Sequence, residues 1–220
     1  MIRYDDLSLS YLESVPGGKG GSDAMPLVVI LHGRGADSQD LAGLAPELES
    51  DSGYRFIFPD APRPFYAAPG IHFGYTWFDG WPPEAGSIRP SRERLDQFLD
   101  ELHQRYGAGD RATALCGFSQ GGMMALDVGL RRPKPLAAII CLSGGLSGVD
   151  LPETLERRDQ AVLIVHGTLD DMLPVSLGRA ARDILEARGL QPEYHELEIG
   201  HQISGEEIGM VAAFLHRHLR

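Results

Sequence analysis

The chemistry in this chain starts at Ser119, in the stretch ALCGFSQGGM from Ala114 to Met123. An apolar run leads into Gly117, a lone serine follows, and a second apolar run begins after Gly121 and Gly122. The local pattern G-F-S-Q-G matches G-x-S-x-G, in which a serine on a sharp strand-to-helix turn presents its hydroxyl as a nucleophile. Glycines two residues to either side avoid clashes where the turn brings backbones together. The helix starting beside the serine favours developing negative charge through its N-terminal dipole.

A hydroxyl near neutral pH needs a base, and the base needs an orienting group. Of the eight histidines, His32 and His166 precede glycines at strand ends, and His195 lies within a strand. His103, at an exposed-looking position, and His216 and His218 lie in helices, and His72 precedes the other motifs. His201, in EIGHQISGEE, falls in a turn between the last strand and the final helix, where a general base belongs when the chain order is serine, acid, histidine. For the acid, VLIVHGTLDDMLPV places Asp170 and Asp171 just past a strand end. Open α/β sheets gather their sites at such ends. Spacing alone does not separate the two aspartates. Oxyanion donors are expected at the backbone N–H of Gln120, directly after the serine, and at that of Arg34, in the glycine-flanked turn HGRG.

These residues need a frame. LVVILHG (27–33) and YRFIFPDAP (54–62) are short β-branched or aromatic runs that read as strands buried on both faces. Further strands are expected at 112–117, 136–142, 161–166 and 192–199, and helices at 38–50 (Ser38 as N-cap), 91–106, 120–132 and 174–189. The final helix opens with Ser204 and Glu207 at capping-box spacing. Residues 3–14 read as an edge strand, PGGKGGSD (16–23) as a flexible turn, and 61–90 as a long aromatic-rich loop. Strands alternating with helices imply βαβ units and a mostly parallel sheet covered on both faces. The 220 residues suit one α/β domain spanning 1–220.

The net charge is −11 and the pI is near 5.1, which disfavours nucleic acid and anionic membrane surfaces as partners. The opening residues MIRYDDLSLSYLES carry acidic charge and no apolar core, so no signal or transit peptide is expected there. No apolar run reaches the roughly 18 residues of a membrane span, so no stable membrane insertion is expected. Cys116 and Cys141 read as buried free thiols, and the expected location is cytoplasmic. There is no H-E-x-x-H and no cysteine cluster, so neither metal nor another cofactor is expected.

With these motifs in place, the chain resembles the phospholipase/carboxylesterase family of α/β-hydrolases, which includes the acyl-protein thioesterases. LHGRGAD, FPDAP, WFD (77–79), GFSQGG, LSGGL (142–146), HGTLDDMLPV and GHQIS follow the family order from residue 27 to the C-terminus. The resemblance implies a single-domain α/β-hydrolase without a large cap domain. It also implies a triad of Ser119, Asp170 and His201, with Asp170 preferred as the last residue of H-G-x-x-D. Arg34 and Gln120 fall on the oxyanion positions. Trp77, Phe78 and Leu173 become candidates for the acyl pocket, with 61–90 as one wall. Two departures stand out: Asp171 replaces a usual proline, and Arg34 replaces a usual apolar residue. The implied activity is hydrolysis of small-molecule carboxylic esters, thioesters or lysophospholipids through an acyl-enzyme. The rivals are an acyltransferase on the same residues and a silent relative that binds an acylated ligand. A homodimer is left open.

Overall fold

The computed structural model describes residues 1–15, 25–49, 53–148 and 159–219. The 16–23 turn lies outside these residues. A single eight-stranded sheet has the order β1-β2-β4-β3-β7-β8-β9-β10. Its members are β1 (Ile2–Tyr4), β2 (Tyr11–Ser14), β3 (Leu27–Leu31), β4 (Arg55–Pro59), β7 (Thr113–Phe118), β8 (Ala138–Leu142), β9 (Val162–Gly167) and β10 (Glu193–Leu197). The strands from β4 to β10 in this order run parallel, and β1 and β2 add an antiparallel edge. The expected single edge strand over 3–14 is thus two short strands paired with each other.

The continuous apolar runs are strands with both faces covered. Along β3, Leu27, Val29 and Leu31 pack into one core and Val28 and Ile30 into the other. The first core is closed by α2 (Ala85–Tyr106), α3 (Gln120–Gly129) and α4 (Ser176–Ala187). The second is closed by α1 (Ala45–Leu48) and α5 (Gly205–His218). In α2, Ile88, Leu95, Phe98, Leu99, Leu102 and Tyr106 form the buried stripe. Such side chains contribute about 1.5–3 kcal/mol each when fully buried. Gly107, at φ 65°, ends the helix in the left-handed conformation. The capping box of α5 forms as expected: Ser204 accepts from the Glu207 N–H, and Glu207 accepts from the Ser204 N–H.

The helix expected over 38–50 is shorter. Residues 42–44 form a 3-10 turn, and α1 covers only Ala45–Leu48. Pro46 has no N–H to donate to the Ala42 carbonyl, so α1 starts with Ala45 and this proline rather than continuing from the turn before it, and Glu49, at ψ 144°, ends it. Ser38 does not cap it; its N–H donates to Asp60 Oδ1 at 2.7 Å. The expected loop over 61–90 contains a hairpin, β5 (Arg63–Ala68) with β6 (Ile71–Thr76), turning at Gly70 with φ +79°. The start of α2 takes up its last residues. Two register shifts in the hairpin break the alternation that would have marked it as strand.

Cys116 and Cys141 are both free and buried. They face opposite cores, Cys116 the α1/α5 side and Cys141 the α2/α3/α4 side, so the sheet separates the two thiols. Among the described residues no helix is long and apolar enough to cross a membrane.

Candidate active site

The carboxyl ends of β3, β7 and β9 and the turn after β10 meet at one edge of the sheet. In the strand order β4-β3-β7, the chain leaves β3 to one side for β4 and resumes at β7 on the other. A crevice opens at such a reversal.

Ser119 links β7 to α3 with φ 56° and ψ −119°, a backbone conformation L-residues rarely adopt. The flanking glycines make it reachable. A Cβ on Gly117 would fall 2.2 Å from the Gly121 backbone, and one on Gly121 would fall 2.2 Å from the Leu31 carbonyl. The LSGGL stretch packs beneath the same turn: a Cβ on Gly144 would lie 2.9 Å from the Ser119 carbonyl, and the Ser119 N–H donates to the Leu142 carbonyl at 2.8 Å.

Ser119 Oγ lies 2.9 Å from His201 Nε2, and His201 Nδ1 lies 2.7 Å from Asp170 Oδ2. With the carboxylate as acceptor, Nδ1 carries the hydrogen and Nε2 is left to accept from the serine. The Phe118 ring packs against the imidazole with centroids 4.8 Å apart. Asp170 is buried, and its Oδ1 accepts from the N–H groups of Met172 at 3.0 Å and Leu173 at 2.8 Å. Burial works to raise the carboxyl pKa, but the Leu173 N–H, His201 and the Met172 N–H outweigh it and hold the value below the usual carboxylate range. The neighbouring Asp171 is exposed. The structure thus brings Asp170, not Asp171, to His201.

Gln120 opens α3, so its N–H has no carbonyl inside the helix to bond. Among the described residues the Arg34 N–H meets no backbone acceptor either. Both residues line the cleft beside Ser119. The loop carrying Arg34 is held from two sides. The Gly35 N–H donates to the Tyr75 carbonyl and the Tyr75 N–H to the Ala36 carbonyl, both at 2.8 Å. His32, buried in front of it, bonds the Gly33 carbonyl through Nδ1 at 2.6 Å, while its Nε2 accepts from the Ala61 N–H at 3.0 Å. Burial, the largest influence, lowers the His32 pKa and keeps this imidazole neutral. His32 is therefore a fixed strut for the loop.

The cleft is about 220 Å³ and is lined by Arg34, Phe78, Gly80, Trp81, Ser119, Gln120, Met123, Met172, Leu173 and His201. Phe78 and Leu173 stand in the wall as expected, but Trp77 does not. Its side chain is fully buried, and its indole N–H donates to the His32 carbonyl at 3.0 Å. The following tryptophan, Trp81, takes the wall position. The side chain of Gln120 is a second feature that sequence reasoning missed. Its Oε1 accepts from the Trp77 N–H at 2.8 Å and from Thr76 Oγ1 at 3.0 Å, and its Nε2 donates to the Phe78 carbonyl at 2.8 Å. One amide thus pins the pocket wall to the helix that follows the serine.

Residues 18–219 match the family model described as Phospholipase/Carboxylesterase. A solved structure of esterase PE8 is 37% identical, covers 97% of this chain and 99% of its own, and superposes with a TM-score of 0.79. Carboxylesterase SOBER1 of Arabidopsis thaliana is 26% identical over 90% of this chain and 92% of its own length. Acyl-protein thioesterase 1 of Saccharomyces cerevisiae is 24% identical over 89% of this chain and 94% of its own. A family match over nearly the whole chain, on the α/β-hydrolase topology described above, makes this protein a member of the phospholipase/carboxylesterase family of serine hydrolases.

Proposed function

We propose that residues 1–220 act as one domain that hydrolyses small-molecule carboxylic esters, thioesters included, through an acyl-enzyme on Ser119. The carrying observation is the unbroken hydrogen-bond chain from Ser119 Oγ through His201 to Asp170 Oδ2. In this reading Ser119 Oγ attacks the carbonyl carbon while its proton passes to His201 Nε2. Asp170 keeps Nδ1 protonated and stabilises the imidazolium. The N–H groups of Gln120 and Arg34 bind the oxyanion, a contribution worth about 2.7–4 kcal/mol per donor in comparable sites. Collapse of the tetrahedral intermediate breaks the ester bond, and His201 returns the proton to the departing alcohol or thiol. Water then repeats the sequence on the acyl-serine and frees the acid. The relatives' names, carboxylesterase and acyl-protein thioesterase, support esters and thioesters as the substrate class. Two buried free thiols support a cytoplasmic location.

The test is labelling with a fluorophosphonate, which captures only a competent serine. Wild type should label and Ser119→Ala should not. A panel of p-nitrophenyl esters and acyl thioesters then reads turnover. A wild-type protein that neither labels nor hydrolyses any of them would overturn the reading.

A further inference from the structure

The Arg34 side chain is not used by the chemistry above, which needs only its N–H. The guanidinium lies over the Phe65 ring, 4.8 Å from the centroid, and the residue is exposed where it lines the cleft beside Ser119. Among the described residues it has no carboxylate within ion-pair distance. The nearby acids are committed elsewhere or face away. Asp170 holds His201, Asp79 pairs with Arg63, and Asp37 and Asp40 line a separate hollow with Phe73. The rest of the cleft wall is largely apolar: Phe78, Trp81, Met123, Met172 and Leu173. The hairpin β5–β6 fixes this cation in place. Its backbone clamps Gly35 and Ala36, its Phe65 carries the guanidinium, and Gly74 permits the approach, since a Cβ there would fall 2.2 Å from the Gly35 carbonyl.

A cation that stacks on a ring, has no carboxylate partner among the described residues and lines a largely apolar cleft is suited to recognise an anion. Resting on the ester-hydrolase reading, we propose that the Arg34 side chain selects esters that carry a carboxylate in addition to the ester group. The planar guanidinium matches a carboxylate with two parallel hydrogen bonds. The net charge of −11 does not oppose this. At physiological salt the screening length is about 8 Å, so a charge in contact outweighs the distant surface acids. The same residue then meets the substrate twice, with its N–H at the reacting carbonyl and its side chain at the carboxylate.

The carboxylate belongs either to the acyl part or to the leaving group, and two substrate pairs separate these. The first is p-nitrophenyl hydrogen adipate against p-nitrophenyl methyl adipate, with the charge on the acyl side. The second is 4-butyryloxybenzoate against 4-butyryloxybenzamide, with the charge on the leaving side. Wild type should show a higher kcat/KM for the anionic member of at least one pair. Arg34→Met should lower that anionic-to-neutral ratio by about tenfold or more, the usual size of a charged hydrogen-bond contact, and Arg34→Lys should keep part of it. A wild type that favours the neutral member of both pairs overturns the proposal, as does an unchanged ratio in Arg34→Met. Calorimetry of adipate binding to Ser119→Ala, with and without Arg34→Met, reads the same contact without turnover. Binding that depends on Arg34 in a protein whose serine does not label would sustain the selectivity and sink the triad. A labelled serine, with adipate binding and both substrate ratios indifferent to Arg34, would do the reverse.

Discussion

Ser119, the proposed nucleophile, holds a strained backbone. A non-glycine residue at φ 56° costs on the order of 1–3 kcal/mol, and the surrounding packing sustains it. Ser119→Ala should therefore fold normally and lose about 10³-fold or more in kcat. Ser119→Gly should also be inactive, yet melt higher than Ser119→Ala in calorimetry, because glycine adopts this conformation without a Cβ penalty. A lower melting point for the glycine variant would remove strain from the account. Asp170→Asn should cost two or more orders of magnitude through loss of the correct imidazole tautomer, and Asp171→Asn less than about tenfold. Asp170 also ties the site to acid stability. Its folded pKa is lowered, so its carboxylate supports the fold above the ordinary range near 3.9, and that support vanishes as pH falls through the lower folded value. The stability gap between wild type and Asp170→Asn should close on acidification in denaturant titrations. The hydrogen-bonded group of Ser119, His201 and Asp170 was legible down to the choice between Asp170 and Asp171, because the proposed roles of nucleophile, base and acid each restrict residue type, spacing and chain order. Trp77 was misplaced because composition marks an aromatic wall without saying which indole faces the cleft. Burial and the hydrogen bond to His32 decide that. Trp81→Ala should thus penalise longer acyl chains, by about fourfold per lost methylene contact, while Trp77→Ala should destabilise the fold by about 3–5 kcal/mol.

At the scale of elements, the inner parallel strands β3, β4, β7, β8 and β9 were readable because two-sided burial writes them as largely apolar runs, whereas the half-buried edge strand β10 is polar. The hairpin β5–β6 was not, because its outer residues Tyr66, Ile71 and Phe73 are exposed and its register slips. The capping box of α5 was readable from Ser204 and Glu207 alone, but its electrostatic cost was not. Glu207 is fully buried, its Oε1 has no partner among the described residues, and burial raises its pKa despite the bond from Ser204. A carboxyl raised in the folded state stabilises most when protonated, below its unfolded value near 4.3, and loses that contribution as pH rises through the folded value. Glu207→Gln keeps an acceptor for the Ser204 N–H and removes the buried charge. It should melt higher than wild type at pH 7, with the difference shrinking toward pH 4. A difference independent of pH would show that charge is not the cause.

For the whole molecule, the sheet is a partition as well as a scaffold. It gathers the carboxyl ends of its parallel strands at one edge, which places four distant sequence segments around one cleft. It also divides the interior into two compartments, each holding one thiol. Burial pushes the Cys116 thiol up to about 12 and raises Cys141 further, so neither is reactive while its compartment stays shut. Cys141 Sγ also lies 3.0 Å from where a Cβ on Gly122, in the first turn of α3 after Ser119, would fall. The pair is thus a built-in two-channel timer for opening. With a thiol reagent in excess, the rate at Cys116 clocks the lifting of α1 and α5, and the rate at Cys141 clocks the loosening of α3 beneath Ser119. Equal rates would mean that the two sides of the molecule open together, and a faster Cys141 would mean that the α2/α3/α4 side breathes on its own.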